Sequence, residues 1–225
     1  MEAPVRMYPW PESEADALAA LRSDAGCVVI SVATPNTENR TRARWAIRSA
    51  LQELLATFWQ RPVASIGFTT ATGQSIALHS PAVSVGLSIS HAPGCSVAAV
   101  HLRRAVGIDV MQVAAALDAN QQPIPDWDAV ARDYLGPVVH ALLLRIAPAE
   151  RAQALAQAWC QMEAQLKCQG RGLEEWSISQ GPASSQCAVS ALTWSESLHG
   201  VYCGAIAIGA VILSDEDLKK TASVR

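Results

Sequence analysis

The spacing of apolar positions changes along the chain, and each change marks an element. Residues 1–11 are punctuated by prolines and read as extended chain, Glu12–Arg22 as a short helix and Cys27–Ala33 as a strand. Thr34-Pro35-Asn36-Thr37 breaks that strand and offers a helix cap. The next helix, about Glu38–Trp59, is expected to carry Trp45, Leu51, Leu54, Leu55 and Phe58 on its apolar face. Period-two stretches then predict a hairpin (Ile66–Thr70 and Ile76–Leu78 around Gly73) and the strands Val85–Ser90 and Cys95–His101, the latter two joined at His91-Ala92-Pro93-Gly94. Val106–Met111 reads as a buried strand, Gln112–Asp126 as a loop, Trp127–Tyr134 as a short helix ended at Gly136-Pro137, and Pro148–Gly170 as a long helix. Strands are expected again at Trp176–Ile178, Cys187–Thr193 and Val201–Leu213. The order predicts an α+β fold of two similar lobes, residues 1–105 and 106–213, with a polar tail at 214–225.

One strand carries an anomaly. Val106-Gly107-Ile108-Asp109-Val110-Met111 holds a single carboxylate among apolar or small residues, and burying a lone carboxylate is costly. Asp109 therefore needs a cation. The long helix holds Trp159, Glu163 and Lys167 at spacings of four, which puts them on one face. Glu163 and Lys167 alone could be a surface ion pair worth a few tenths of a kcal/mol. With Asp109, two hard oxygen ligands suit Mg²⁺, which takes one or two carboxylates and fills its shell with water and phosphate oxygens. A lysine one turn away would reach the same phosphate. Together these residues point to Mg²⁺-assisted transfer of a phosphate-linked group.

Composition narrows the choice. Half of the 225 residues are hydrophobic and 16% are charged, as expected for a compact protein. No apolar run reaches the roughly 18 residues of a membrane span, and no signal-peptide pattern opens the chain, so a cytoplasmic protein without a membrane partner is expected. Net charge is −3, with nine Arg and seven acids in residues 1–105 against eight basic residues and thirteen acids in 106–225. That balance lacks the basic stripe of a nucleic-acid binder. Arg40, Arg44 and Arg48 line one side of their helix and are either a solvated face or an anion clamp. Of three lysines only Lys167 lies in the body of the chain; Lys219 and Lys220 sit in the tail. The six cysteines show no metal-type spacing and read as buried thiols. His91, expected at a strand end on a turn, is placed where side chains often serve function.

Three motifs, in order, carry a resemblance: Ser90-His91, Gly107-Ile108-Asp109, and Trp159 with Glu163 and Lys167, followed by Gly170-Arg171-Gly172. Over about residues 40–210 the chain resembles the 4'-phosphopantetheinyl transferases, the larger two-lobed kind that activates carrier proteins. The resemblance implies two lobes related by a pseudo-twofold axis, with coenzyme A and Mg²⁺ in the cleft between them. It implies transfer of phosphopantetheine to a serine of an acyl or peptidyl carrier protein, with release of 3',5'-ADP, by a monomer. Asp109 and Glu163 would hold Mg²⁺ and, with Lys167, carry the chemistry. Ser90, His91, Lys167 and one or more of Arg40, Arg44 and Arg48 would bind the cofactor phosphates. The chain departs from the family pattern at Gln74 and Met162, where lysines are usual, at Met111, where a second acid is common, and at Val139, the slot of a glutamate assigned as general base; His140 beside it or a metal-bound water are substitutes. These departures motivate an alternative, a relative that binds coenzyme A or a carrier protein without transferring anything.

Overall fold

The computed structural model describes residues 4–34, 40–69, 76–79, 85–113, 126–177, 187–193 and 201–212. The fold is α+β. Strands β1 (Val5–Pro9), β2 (Cys27–Ala33), β5 (Gly86–Ala92), β6 (Cys95–His101), β7 (Arg104–Gln112), β8 (Ala188–Thr193) and β9 (Tyr202–Val211) form one mixed sheet in the order β5-β6-β2-β1-β8-β9-β7. A separate two-residue pair, β3 (Phe68–Thr69) and β4 (Ala77–Leu78), is the expected hairpin; its turn at Gly73 and Gln74 lies outside the described residues. The helices are α1 (Glu14–Arg22), α2 (Arg40–Trp59), α3 (Trp127–Val130), α4 (Gly136–Arg145) and α5 (Pro148–Cys168), with a π-helical turn at Ala131–Leu135.

Two separate, pseudo-symmetric lobes are not evident, and the reason is β1. The extended N-terminal segment becomes a strand that runs parallel to both β2 (Met7 opposite Val29) and β8 (Val5 opposite Leu192), welding the two groups of strands into one sheet. Alternation makes this possible. Val5 and Met7 turn into one core cluster with Val29, Val97, Ile108 and Ile206, while Tyr8 and Trp10 turn into the other beside Leu51, Leu54 and Leu55. The sheet then curls until its terminal strands β5 and β7 face each other, nearly closing it.

Two expectations need correction and a third holds. Trp45 is 70% exposed rather than on the apolar face of α2, because the buried stripe is set by Ile47, Ala50, Leu51, Leu54 and Leu55, and a residue two positions before Ile47 points the opposite way. Gly136-Pro137 does break the helical segment: Gly136, at φ 81°, ends the π-helical turn, and Pro137 sits in the first turn of α4. Around Trp176 there is no strand: residues 171–177 are irregular, and the Trp176 N–H donates to the carbonyl of Asp133. Gln112 ends β7; residues 114–125 and the tail lie outside the described residues. Among the described residues no helix is long and apolar enough to cross a membrane.

Candidate functional site

Strand β7 presents two faces. Val106, Ile108 and Val110 enter the sheet interior, while Ala105, Gly107, Asp109 and Met111 turn toward α5. Helix α5 answers with small residues at spacings of four, Ala152, Ala156, Cys160, Ala164 and Cys168, all buried. At Gly107 the approach is closest: a Cβ there would land on the Ala164 carbonyl oxygen and the Cys168 amide nitrogen. This close seat brings the neighbouring face of α5, with Glu163 and Lys167, over Asp109.

The Lys167 ammonium lies 2.6 Å from Asp109 Oδ1 and 3.8 Å from Glu163 Oε2. It also donates to the Ile108 carbonyl at 3.2 Å. Asp109 is 7% exposed, and the Ser90 hydroxyl donates to its Oδ1 at 2.7 Å. The buried carboxylate thus has its cation, and both carboxylates gather around one ammonium. Burial raises the Glu163 carboxyl above its ordinary range; Lys167 pulls it back and the Asp109 charge pushes it further up. Burial likewise pushes the Cys160 thiol up, with the Asp109 charge adding to it, so this sulfur beside Asp109 stays protonated.

His91 lies one residue inside β5, not on the turn, which is Pro93-Gly94 with Gly94 at φ 78°. Its ladder partner is Ser96, and its Nδ1 is 2.8 Å from Ser96 Oγ. Burial, followed by the charges of Arg44, Lys167, Arg48 and Arg40, holds the imidazole down at about 4. The three arginines therefore act on the same point as Lys167. A groove of about 400 Å³ runs along α2, lined by Thr41, Arg44, Trp45, Arg48, Ser49, Gln52 and Phe68.

A neutral His91 has a consequence for folding. Its folded value, about 4, is below the ordinary imidazole value of about 6.5, so the unfolded chain binds the proton first as the pH drops. Its contribution is present above pH 6.5 and is lost as pH falls toward 4. Glu163, shifted upward, has the opposite sign: its penalty is relieved at low pH. In urea unfolding, wild type should lose stability relative to His91→Gln between pH 7 and pH 4.5, whereas Glu163→Gln should gain least at the acid end. A pH-independent gap between wild type and His91→Gln would mean that the imidazole is not held neutral.

Other expected positions fall elsewhere. The Ser90 hydroxyl is directed at Asp109, not into the groove. Met111 packs in the apolar cluster between β7 and α5, and Val139 and Met162 pack together with Trp159 in a cluster under α4, so none adds a charge. His140 is 2.7 Å from Asp128 Oδ1 and tilted against the Trp127 ring. Sequence reading missed Cys160, Ser88 and the groove residues Thr41, Ser49 and Gln52; only the i, i+4, i+8 spacing from Thr41 to Ser49 with Trp45 between could have suggested that wall. Among the described residues no cluster of three or more His, Cys, Asp or Glu could hold a metal. Two carboxylates facing one cation position do suit Mg²⁺ with phosphate and water completing its shell.

Comparison with known families singles out the β7–α5 half of the molecule. Residues 105–198 match the 4'-phosphopantetheinyl transferase superfamily. The match spans less than half of the 225 residues but contains Asp109, Glu163 and Lys167. This superfamily is one of enzymes that generally use Mg²⁺ and coenzyme A and act on carrier proteins. No curated protein matches the chain.

Proposed function

We propose that the protein is a 4'-phosphopantetheinyl transferase of the larger two-lobed type, moving phosphopantetheine from coenzyme A to a serine of an acyl or peptidyl carrier protein. The observation that carries this reading is the convergence of Asp109, Glu163 and Lys167 across the closely seated β7–α5 pair, inside the segment that matches the superfamily. The two-lobed subtype is supported by connectivity. With the β3–β4 pair and the turns from α3 to α4 set aside as insertions, strand, helix, strand, strand occurs twice, as β2-α2-β5-β6 and β7-α5-β8-β9, and in both the last strand lies between the other two. A boundary near residue 105 divides these repeats, and one chain supplies both.

In the reaction the carrier serine oxygen forms a bond to the pantetheine-side phosphorus, and the phosphoanhydride bond to 3',5'-ADP breaks. Asp109 and Glu163 would hold Mg²⁺, which supplies charge neutralisation on the diphosphate when bound. Lys167, released from sole duty on the two carboxylates, would hold the phosphate and the charge that develops on it. The groove along α2 suits the nucleotide end. Arg44, Arg48 and Arg40 offer guanidinium forks to phosphate, and the exposed Trp45 offers a ring face to the base. His91, neutral, would donate from the ring nitrogen not engaged with Ser96.

The second reading, binding without transfer, is favoured by one feature: Val139 and Met162, in place of an acid and a cation, are built into an apolar cluster. Incubation with coenzyme A, Mg²⁺ and a panel of apo carrier proteins separates the two. The expected result is a carrier mass increased by one phosphopantetheine group, with 3',5'-ADP released. Coenzyme A binding without any mass gain across the panel would select the second reading.

A further inference from the structure

We propose that Ser90 is a positioning residue that aims the Asp109 carboxylate while closing the sheet, rather than a ligand of the cofactor. The inference deepens the transferase reading and rests on Asp109 serving there. Strands β5 and β7 end the sheet, so the outward N–H groups of β7 have no ladder partner on that side. Two serines fill the gap. The Ile108 N–H donates to Ser88 Oγ at 3.1 Å, and the Val110 N–H donates to Ser90 Oγ at 3.3 Å. The spacing of two on both strands follows from the pleat, since alternate residues face the same way. Both serines are buried, at 5% and 6% exposure.

The two then differ. Ser90 gives its one hydroxyl proton to Asp109 Oδ1, and Lys167 Nζ lies 3.5 Å from the same hydroxyl oxygen. A hydroxyl has one proton to donate, so while it rests on Asp109 it is not available to a phosphate. With its oxygen held by the Val110 N–H, the hydroxyl fixes the rotation of the Asp109 carboxylate about its Cβ–Cγ bond. Ser88 closes the sheet in the same way with no carboxylate beyond it, which makes it the natural control.

The test compares Ser90→Ala, Ser90→Thr and Ser88→Ala. Both alanine variants should lower the unfolding midpoint to a similar extent. Only Ser90→Ala should weaken Mg²⁺ binding in calorimetry and lower kcat, each by about 10- to 100-fold, with KM for coenzyme A within about twofold of wild type. Ser90→Thr, which keeps the hydroxyl, should recover most of the loss. In an Asp109→Ala background, which removes the acceptor of the Ser90 hydroxyl, Ser90→Ala should change Mg²⁺ binding no further, and the two midpoint shifts should be non-additive. A raised KM with unchanged kcat would assign Ser90 to the cofactor and overturn the proposal, as would an equal loss of Mg²⁺ binding and kcat in Ser88→Ala or strictly additive midpoint shifts. If wild type transfers nothing yet the midpoint shifts couple, the transferase reading falls and the positioning of Asp109 stands.

Discussion

Asp109→Asn is expected to reduce carrier-protein modification at least about a thousandfold while shifting the unfolding free energy by only about 1–2 kcal/mol. The asymmetry follows from what each atom does. Asparagine keeps the volume of the side chain and an oxygen that can still accept from Ser90, so the β7–α5 contact is preserved. Lys167 is not stranded either, because Glu163 Oε2 lies 3.8 Å from its ammonium and can take over the pairing. Removing one partner of a buried pair is severe only when a charge is left alone. For the chemistry there is no substitute. An amide oxygen carries no net charge, and a diphosphate site that loses one of two carboxylates loses the means to hold Mg²⁺ against its phosphates. Initial rates of carrier modification, with urea unfolding in parallel, measure both quantities. A rate within tenfold of wild type would reduce Asp109 to an anchor for Lys167 and remove it from the reaction.

How much of this was legible in the sequence depends on whether the decisive interaction was local. The strand around Asp109, the long helix and the four-residue spacing of Glu163 and Lys167 follow from periodicity, and a carboxylate amid apolar strand residues announced its need for a cation. That the cation is Lys167 itself, 58 positions away, is a tertiary fact. The single sheet was hidden for a similar reason. Val5–Pro9 is too short and too interrupted by prolines to show strand character alone, and its pairing with β2 and β8 on either side makes it one. Trp45 is expected on the apolar face of α2 with Leu51, Leu54, Leu55 and Phe58, whereas its angular position relative to Ile47 puts it outside. His91 and the arginine stripe were seen as separate possibilities, a turn histidine and a solvated face or clamp. Their common electrostatic neighbourhood appears only when α2 is laid against β5. Ser90 was noticed for its motif, but its partner lies on the facing sheet edge, which no local pattern reveals.

Gly107→Ala is expected to be among the most damaging single-methyl changes at the described residues. Small residues at 152, 156, 160, 164 and 168 let α5 approach β7 closely, and Gly107 is where that approach leaves no room. The atoms a Cβ would strike are the Ala164 carbonyl oxygen and the Cys168 amide nitrogen, both backbone and unable to rotate aside. Either α5 or β7 must retreat. Overpacking of this kind costs about 1–3 kcal/mol, occasionally more, and here the retreat also carries Lys167 and Glu163 away from Asp109. A misplacement of about 1 Å at a reacting centre can cost about a hundredfold in rate. Gly107→Ala should therefore lower the unfolding midpoint and reduce transfer by at least about a hundredfold, with the rate deficit persisting at temperatures where the variant is fully folded. Gly172→Ala, where a Cβ would meet nothing within 4 Å, should leave both unchanged. If Gly107→Ala kept both rate and midpoint, the helix would have slack against the strand, and the close seat would no longer explain how the acid on β7 meets the acid and the lysine on α5.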